Sequence, residues 1–281
     1  MTKILDGRVI AAEIKTEVAK EVEELKNSNI EVTLAVIIVG DDPASQVYVR
    51  NKEKACASVG IKSITHRLQE DITQIELESL VQQLAFDTSV HGILVQLPLP
   101  KHLDKDKLLE LIPANKDVDG LTASNVANLV LNKETIVPCT PQGVIDLLKA
   151  YNIELAGKNI AVIGRSMLVG RPLSILLSNA DATVTVCHSK TNNLAAITKS
   201  SDIVICAVGK PKFLTADMVN SHCVIIDVGI NRLESGLCGD ADYDSLVDKV
   251  QAITPVPGSC GLMTIAELLV NTVKCCKLQK Q

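Results

Sequence analysis

Apolar and polar positions alternate along this chain with two different periods. Val9, Ile10, Ile14, Val18, Val22 and Leu25 recur at helical spacing, which predicts an amphipathic first helix with Asp6 at its N-cap. VTLAVIIVG (Val32–Gly40) is apolar throughout, the pattern of a strand buried on both faces. Asp41-Asp42-Pro43 then opens a helix to about Val59, because an acid before a proline is a helix start. A strand near Ile64 follows, then a helix opened by the capping box of Thr73 and Glu76. GILVQLPLP (Gly92–Pro100) reads as a strand stopped by its prolines. Up to about residue 120 the pattern predicts at least two βαβ units and a parallel sheet of their own.

The second half starts over. A helix after Pro141 leads to an apolar strand at Asn159–Ile163, and further strands are expected at Thr183–Cys187, Ile203–Cys206 and Cys223–Asp227. With helices between them they predict a Rossmann-like unit. TPVPG (Thr254–Gly258) is a turn-rich loop, and Leu262–Lys277 is the last helix. The expected fold class is α/β, with two domains and parallel sheets.

Composition narrows the function. At 281 residues the chain can build one large or two medium α/β cores. Hydrophobic residues make up 47%, yet no apolar run reaches the length of a membrane span, so no membrane partner is expected. The start, MTKILDGRVIAAEIK, has no signal-peptide h-region and carries acids that suit a transit peptide poorly, which points to a cytoplasmic protein. The net charge of −5, the lack of a basic block and an aromatic content of 2% argue against nucleic acid as a partner. The nine cysteines are scattered, with no C-x-x-C and no zinc spacing, so reduced, buried thiols are expected and a metal site is not.

Gly157–Leu177, GKNIAVIGRSMLVGRPLSILL, runs from an apolar strand through a glycine loop into a helix, a layout suited to a phosphate-bearing dinucleotide. The pair Gly164 and Gly170 is not G-x-G-x-x-G, and alone it equally suits an ordinary strand-to-helix turn. Arg165 adds a cation beside the phosphate position. The next strand ends in CHSKT (Cys187–Thr191), where an NAD-specific domain would place an acid for the ribose 2′-hydroxyl. Ser189 and Lys190 stand there instead, so the expected cofactor is NADP. The loop lies beyond the middle of the chain, so the groups that act on substrate are expected upstream.

On the Ala44–Val59 helix, winding at ~100° per residue puts Ala44, Tyr48, Asn51, Ala55 and Val59 on one face, with Lys52 on its edge. A lysine drawn into an apolar cleft titrates lower and can act as a base near neutrality; the bland alternative is a lysine that snorkels past the core edge. Tyr-x-x-x-Lys also occurs in short-chain dehydrogenases, but there it follows the glycine loop within one domain, and here it precedes it. Gln96 is a polar residue inside an apolar strand, at the end where active sites of open α/β sheets gather. A buried amide needs partners, which a lysine or a heteroaromatic substrate would supply. Asp117-Val-Asp119-Gly120 is a tight loop with two acids, also readable as a plain turn.

YVRNK (Tyr48–Lys52), GILVQLPLP, KDVDGLT (Lys116–Thr122), PCTPQG (Pro138–Gly143), GRSMLVGRP (Gly164–Pro172), CHSKT and DVGIN (Asp227–Asn231) follow one another in this order. Together, over nearly the whole chain, they closely resemble the bifunctional methylenetetrahydrofolate dehydrogenase/cyclohydrolase family, the FolD-type enzymes. The resemblance implies NADP-dependent oxidation of 5,10-methylenetetrahydrofolate to the methenyl form and hydrolysis of that product to 10-formyltetrahydrofolate, within one-carbon metabolism and purine biosynthesis. It implies a folate-binding catalytic domain at residues 1–140, to which the helix at 262–281 returns, a Rossmann-like NADP domain at 141–261, a folate cleft between them, and a homodimer through the cofactor domains. Tyr48, Lys52, Gln96 and Asp119 match the family's active-site positions, and Val95, Leu97, Pro257, Gly258 and Gly261 join them as substrate contacts. Gly164, Arg165, Ser166, Ser189 and Ile230 match its cofactor positions.

The residues suit that chemistry. Hydride departure is driven by the folate nitrogens and needs no metal. The product is an iminium cation, which a neutral Lys52 would repel less than a charged one while helping to activate water. Gln96 would hold Lys52, Tyr48 would pack on the folate, and Asp119 would accept hydrogen bonds from the pterin's donor edge. One segment departs from the family's PVPGGVGPMT: this chain reads PVPGSCGLMT (Pro255–Thr264), with Ser259, Cys260 and Leu262 in place of Gly, Val and Pro. A lost glycine restricts φ and a lost proline frees the helix start, so loop shape and folate affinity are expected to differ here. Two rival readings make other demands. A shikimate-dehydrogenase-like NADP oxidoreductase predicts a lysine–aspartate pair but not Gln96. A non-catalytic nucleotide-binding protein predicts damage at Tyr48, Lys52, Gln96 or Asp119, and all four are intact.

Overall fold

The structure, a computed structural model, describes residues 1–234 and 236–280. In chain order its elements are β1 (Lys3–Ile4), α1 (Arg8–Asn27), β2 (Thr33–Val39), α2 (Pro43–Ser58), β3 (Lys62–Leu68), α3 (Gln74–Phe86), β4 (Gly92–Val95), α4 (Lys105–Glu110), α5 (Ala123–Val130) and α6 (Cys139–Ala150). They continue with β5 (Asn159–Ile163), α7 (Gly170–Asn179), β6 (Thr183–Cys187), α8 (Leu194–Lys199), β7 (Ile203–Cys206), β8 (Val224–Asp227), β9 (Asn231–Leu233), β10 (Gly236–Cys238), α9 (Tyr243–Leu246), β11 (Ala252–Ile253) and α10 (Cys260–Leu278). Two compact units result, one of residues 12–139 and 265–281, the other of residues 1–11 and 140–264.

The first unit is built on a parallel three-stranded sheet in the order β3-β2-β4. Every residue of β2 is buried because helices cover both faces. Leu34, Val36 and Ile38 point into one core with Val18 and Val22 of α1, Val49 and Cys56 of α2, and Leu268, Leu269 and Val273 of α10. Ala35, Ile37 and Val39 point into the other, with Leu77, Val81 and Leu84 of α3 and Leu108 of α4. This two-sided burial is why the strand reads as an unbroken apolar run. The helix starts are encoded locally. The Asp42 carboxylate accepts from the Ser45 amide at 2.8 Å with Pro43 in the first turn, and Thr73 and Glu76 form their reciprocal capping box.

Two expectations are corrected in this unit. The buried stripe of α2 is Ser45, Val49, Ala55 and Cys56, so Ala44, Tyr48 and Asn51 are exposed. The stripe is rotated by one residue from the expected face because Val49 and Cys56, seven apart, are the side chains that reach β2. Lys52 still lies at its rim, half-buried. The apolar run at Gly92 is a strand only as far as Val95; Gln96 and Leu97 follow it as loop.

The second unit holds a six-stranded parallel sheet in the order β1-β11-β8-β7-β5-β6. Its core joins Ala161, Ile163, Cys187, Val204, Cys206, Ile225 and Ile253. β6 lies on one side of β5 and β7 on the other, so the chain reverses direction across the sheet at β5, the place where open α/β sheets bind ligands. The expected domain boundary at residue 1 is corrected here. Lys3 pairs with Ala252 and Ile4 with Ile253, which draws residues 1–11 into this unit. Leu5 is fully buried beside them. The departing segment fits its surroundings: the buried Ser259 hydroxyl donates to the Leu5 carbonyl at 2.8 Å, and α10 starts at Cys260 rather than Leu262. No described helix is long and apolar enough to cross a membrane, and no described cluster of His, Cys, Asp and Glu has metal-binding geometry.

Candidate active site

In the first unit, α2 and the segment after β4 converge. Lys52 Nζ donates to Gln96 Oε1 at 3.0 Å, and Gln96 Nε2 donates to the Leu97 carbonyl at 2.7 Å. The second bond fixes which end of the amide faces the lysine. Tyr48 stands one turn before Lys52 with 37% of its surface exposed, and partial burial raises its phenol pKa. Val95 closes β4 and is buried, whereas Leu97 is half-buried beside Gln96.

The two acids of the DVDG loop have separate fates. Asp117 is almost fully buried and accepts from the Thr122 amide at 2.8 Å and from Asn125 Nδ2 at 2.9 Å, so it holds the loop onto the start of α5. Asp119 is far less employed, with the Cys139 thiol 4.0 Å from Oδ1. Burial raises the Asp119 pKa, and the nearby Lys52 charge opposes that rise. A desolvated carboxylate short of donors, within the field of an amide-held lysine, is a site for a ligand that brings donors. Sequence reasoning missed the support beneath it. Asn271 of α10 donates to the Val118 carbonyl at 2.9 Å and the Val137 carbonyl at 2.8 Å. Its signal was a polar residue within the apolar helix pattern LLVNTV.

In the second unit, Gly164 directly follows β5 with φ +119, and a Cβ there would collide with the Ala207 carbonyl after β7. Its amide donates to Cys187 at the end of β6, so the glycine loop is wedged between two neighbouring strand ends. Ser166 accepts the Val169 amide and shapes the turn into α7, whose N-terminal dipole favours an anion. Arg165, Ser189 and Lys190 are exposed, and among the described residues their side chains make no ion pair or hydrogen bond. A glycine turn that admits no Cβ, with free cations and hydroxyls at its mouth, fits NADP. Ile230 follows β8 and is 40% exposed. Pro257, Gly258 and Gly261 also belong to this unit and not to the one carrying Lys52, Gln96 and Asp119.

Two buried acids behind these loops also went unread. Asp227 accepts from the amides of Gly229, Asp240 and Ala241 at 2.8–2.9 Å. Burial, with Asp240 nearby, nonetheless raises its pKa to about 6. The signal was an acid closing the apolar strand Cys223–Asp227.

Fold and site together define a dinucleotide-dependent dehydrogenase with a separate substrate-handling unit. Family models agree: one for the tetrahydrofolate dehydrogenase/cyclohydrolase catalytic domain matches residues 5–119, and one for the NAD(P)-binding domain of the same enzymes matches residues 138–280. The chain belongs to the tetrahydrofolate dehydrogenase/cyclohydrolase family. It is 56% identical over 272 residues, 96% of each chain, to the bifunctional protein FolD of Campylobacter concisus. The crystal structure of the bifunctional FolD enzyme of Campylobacter jejuni matches with a TM-score of 0.97 and 52% identity over 99% of both chains. The Trypanosoma brucei methylenetetrahydrofolate dehydrogenase-cyclohydrolase, solved with NADP and an inhibitor, matches with a TM-score of 0.96 and 37% identity, covering 100% of this chain and 99% of that one.

Proposed function

We infer that this chain is a bifunctional folate one-carbon enzyme, oxidising 5,10-methylenetetrahydrofolate to the methenyl form and hydrolysing that to 10-formyltetrahydrofolate. The observation that carries the reading is the Lys52–Gln96 pair, Nζ to Oε1 at 3.0 Å, in the field of a donor-poor Asp119. Bound NADP supplies the two-electron acceptor for the hydride of the one-carbon bridge. Arg165, Ser189 and Lys190 take its 2′-phosphate, Gly164 and Ser166 seat the pyrophosphate at α7, and Ile230 packs beside the ring.

Asp119 takes the donor edge of the pterin, which replaces the hydrogen bonds its carboxylate lacks. Tyr48 packs on the folate one helical turn from the reacting carbon's lysine. Lys52 activates the water that adds to the methenyl carbon, and Gln96 fixes the Nζ position for that step. Val95 and Leu97 line the folate beside them.

The enzyme is a cytoplasmic homodimer in this reading. Its cysteines are free thiols among the described residues, as in a reducing compartment. β6 is an outermost strand of the six-stranded sheet and exposes Thr183, Thr185 and Val186, an unpaired edge suited to a second copy.

Lys52→Met tests the central role. The variant should keep its circular dichroism spectrum and lose hydrolysis of methenyltetrahydrofolate, followed as decay of the methenyl absorbance band. A folded variant that still hydrolyses it removes Lys52 from the mechanism.

A further inference from the structure

We propose that Asp240 is a positioning residue for the cofactor site, a buried carboxylate that holds two of its loops in register. Asp240 is fully buried. Its Oδ2 accepts from the amides of Val208 and Gly209 at 2.6 and 2.8 Å, and its Oδ1 from the amide of Lys210 at 2.9 Å. Three successive backbone N–H groups thus close around one carboxylate, as a nest closes around an anion. Oδ1 also accepts from Asn231 Nδ2 at 2.8 Å. One side chain therefore ties the loop after β7 to the segment after β8.

Both tied segments bear on the nucleotide. Ala207, immediately before the nest, supplies the carbonyl that faces Gly164. Ile230 lies between Gly229, whose amide is held by Asp227, and Asn231, which is held by Asp240. Asp227 completes the device by holding the amides of Asp240 and Ala241, while its own amide donates to Thr254 at 2.7 Å. The sequence leaves room for the two carboxylates: a side chain at Gly229 would collide with Asp240, and one at Gly239 with Asp227. None of the described ion pairs involves either acid, so backbone and amide donors alone hold them. A carboxylate so committed has no free lone pair for chemistry; its effect on catalysis runs through the loops it fixes.

The inference rests on NADP binding at Gly164, and the test separates the two. Binding of NADP to wild type and to Asp240→Asn is measured by calorimetry, and hydrolysis of methenyltetrahydrofolate is measured without NADP. The substitution puts an amide N–H against backbone N–H donors. NADP should bind at least tenfold more weakly, while hydrolysis stays within about twofold of wild type, which shows that the other unit is intact. Equal NADP affinity in the folded variant overturns the proposal. Failure of wild type to bind NADP overturns the cofactor reading and the proposal with it. Where the variant does not fold, amide hydrogen exchange of the wild-type protein without NADP decides: Val208–Lys210 should exchange as slowly as strand amides despite lying in a loop, and fast exchange there overturns the proposal.

Discussion

Asn271→Leu removes the two N–H donors beneath Asp119 while keeping the branched side-chain skeleton of four heavy atoms. In the wild-type protein Nδ2 spans the Val118 and Val137 carbonyls at 2.9 and 2.8 Å, and the side chain is 5% exposed. Each buried acceptor left without a donor costs about 1–3 kcal/mol. The Cys139 thiol, 3.4 Å from the Val118 carbonyl, recovers a little of the first, and Val137 is only half-buried. The net loss is about 2–4 kcal/mol, which for a unit of this size lowers its melting temperature by about 4–16 °C. The backbone freed is that of Val118, so Asp119 loses its fixed position and KM for the folate rises several-fold. Affinity for NADP stays unchanged, because Asn271 and Gly164 belong to different units. Differential scanning calorimetry and steady-state kinetics read both effects. A melting temperature within about 2 °C of wild type together with an unchanged folate KM would refute the reasoning.

Three further outcomes are expected. Gly164→Ala forces a Cβ into the Ala207 carbonyl at φ +119, so NADP binding by calorimetry should vanish; retained binding would show that the turn tolerates a side chain. Arg165→Ala removes a charge-assisted bond worth about 1.5–3 kcal/mol, so KM for NADP should rise about 10- to 100-fold while KM for NAD hardly moves; equal changes for both would take Arg165 off the 2′-phosphate. The Asp227 carboxyl should titrate at about 6 by carbon NMR. With its folded pKa above the unfolded value of about 3.9, its contribution to stability is full below about pH 3.9 and is lost as pH rises through about 6. A midpoint near 4 would contradict the burial argument.

Which parts were legible follows from the range of the interactions. β2, β5, β7 and β8 are buried on both faces, so continuous apolar runs marked them directly, whereas the edge strand β6 is largely exposed. The Thr73 cap is local, spanning three residues, and was readable for that reason. Gln96 was legible as an amide in need of a partner, and Lys52 is that partner. The face of α2 was read one residue out, because Tyr48 counts as apolar by type while Val49 is the residue that meets β2. β1 was illegible: a two-residue strand has no period, and its partner lies at the far end of the chain. Asp240 and Asn271 were missed for a related reason. Their work is to bind backbone groups of distant segments, and a sequence shows side-chain types but not orphaned carbonyls and amides.

The central claim is that one chain carries both folate reactions with NADP as oxidant. Purified wild-type protein is given 5,10-methylenetetrahydrofolate and NADP, and methenyl, 10-formyl and reduced nucleotide are followed together by absorbance and chromatography. The account predicts reduced nucleotide and 10-formyltetrahydrofolate in equal amounts, with methenyltetrahydrofolate as a transient and far slower turnover with NAD. Reduced nucleotide without 10-formyl product, or no reduction at all, would contradict it.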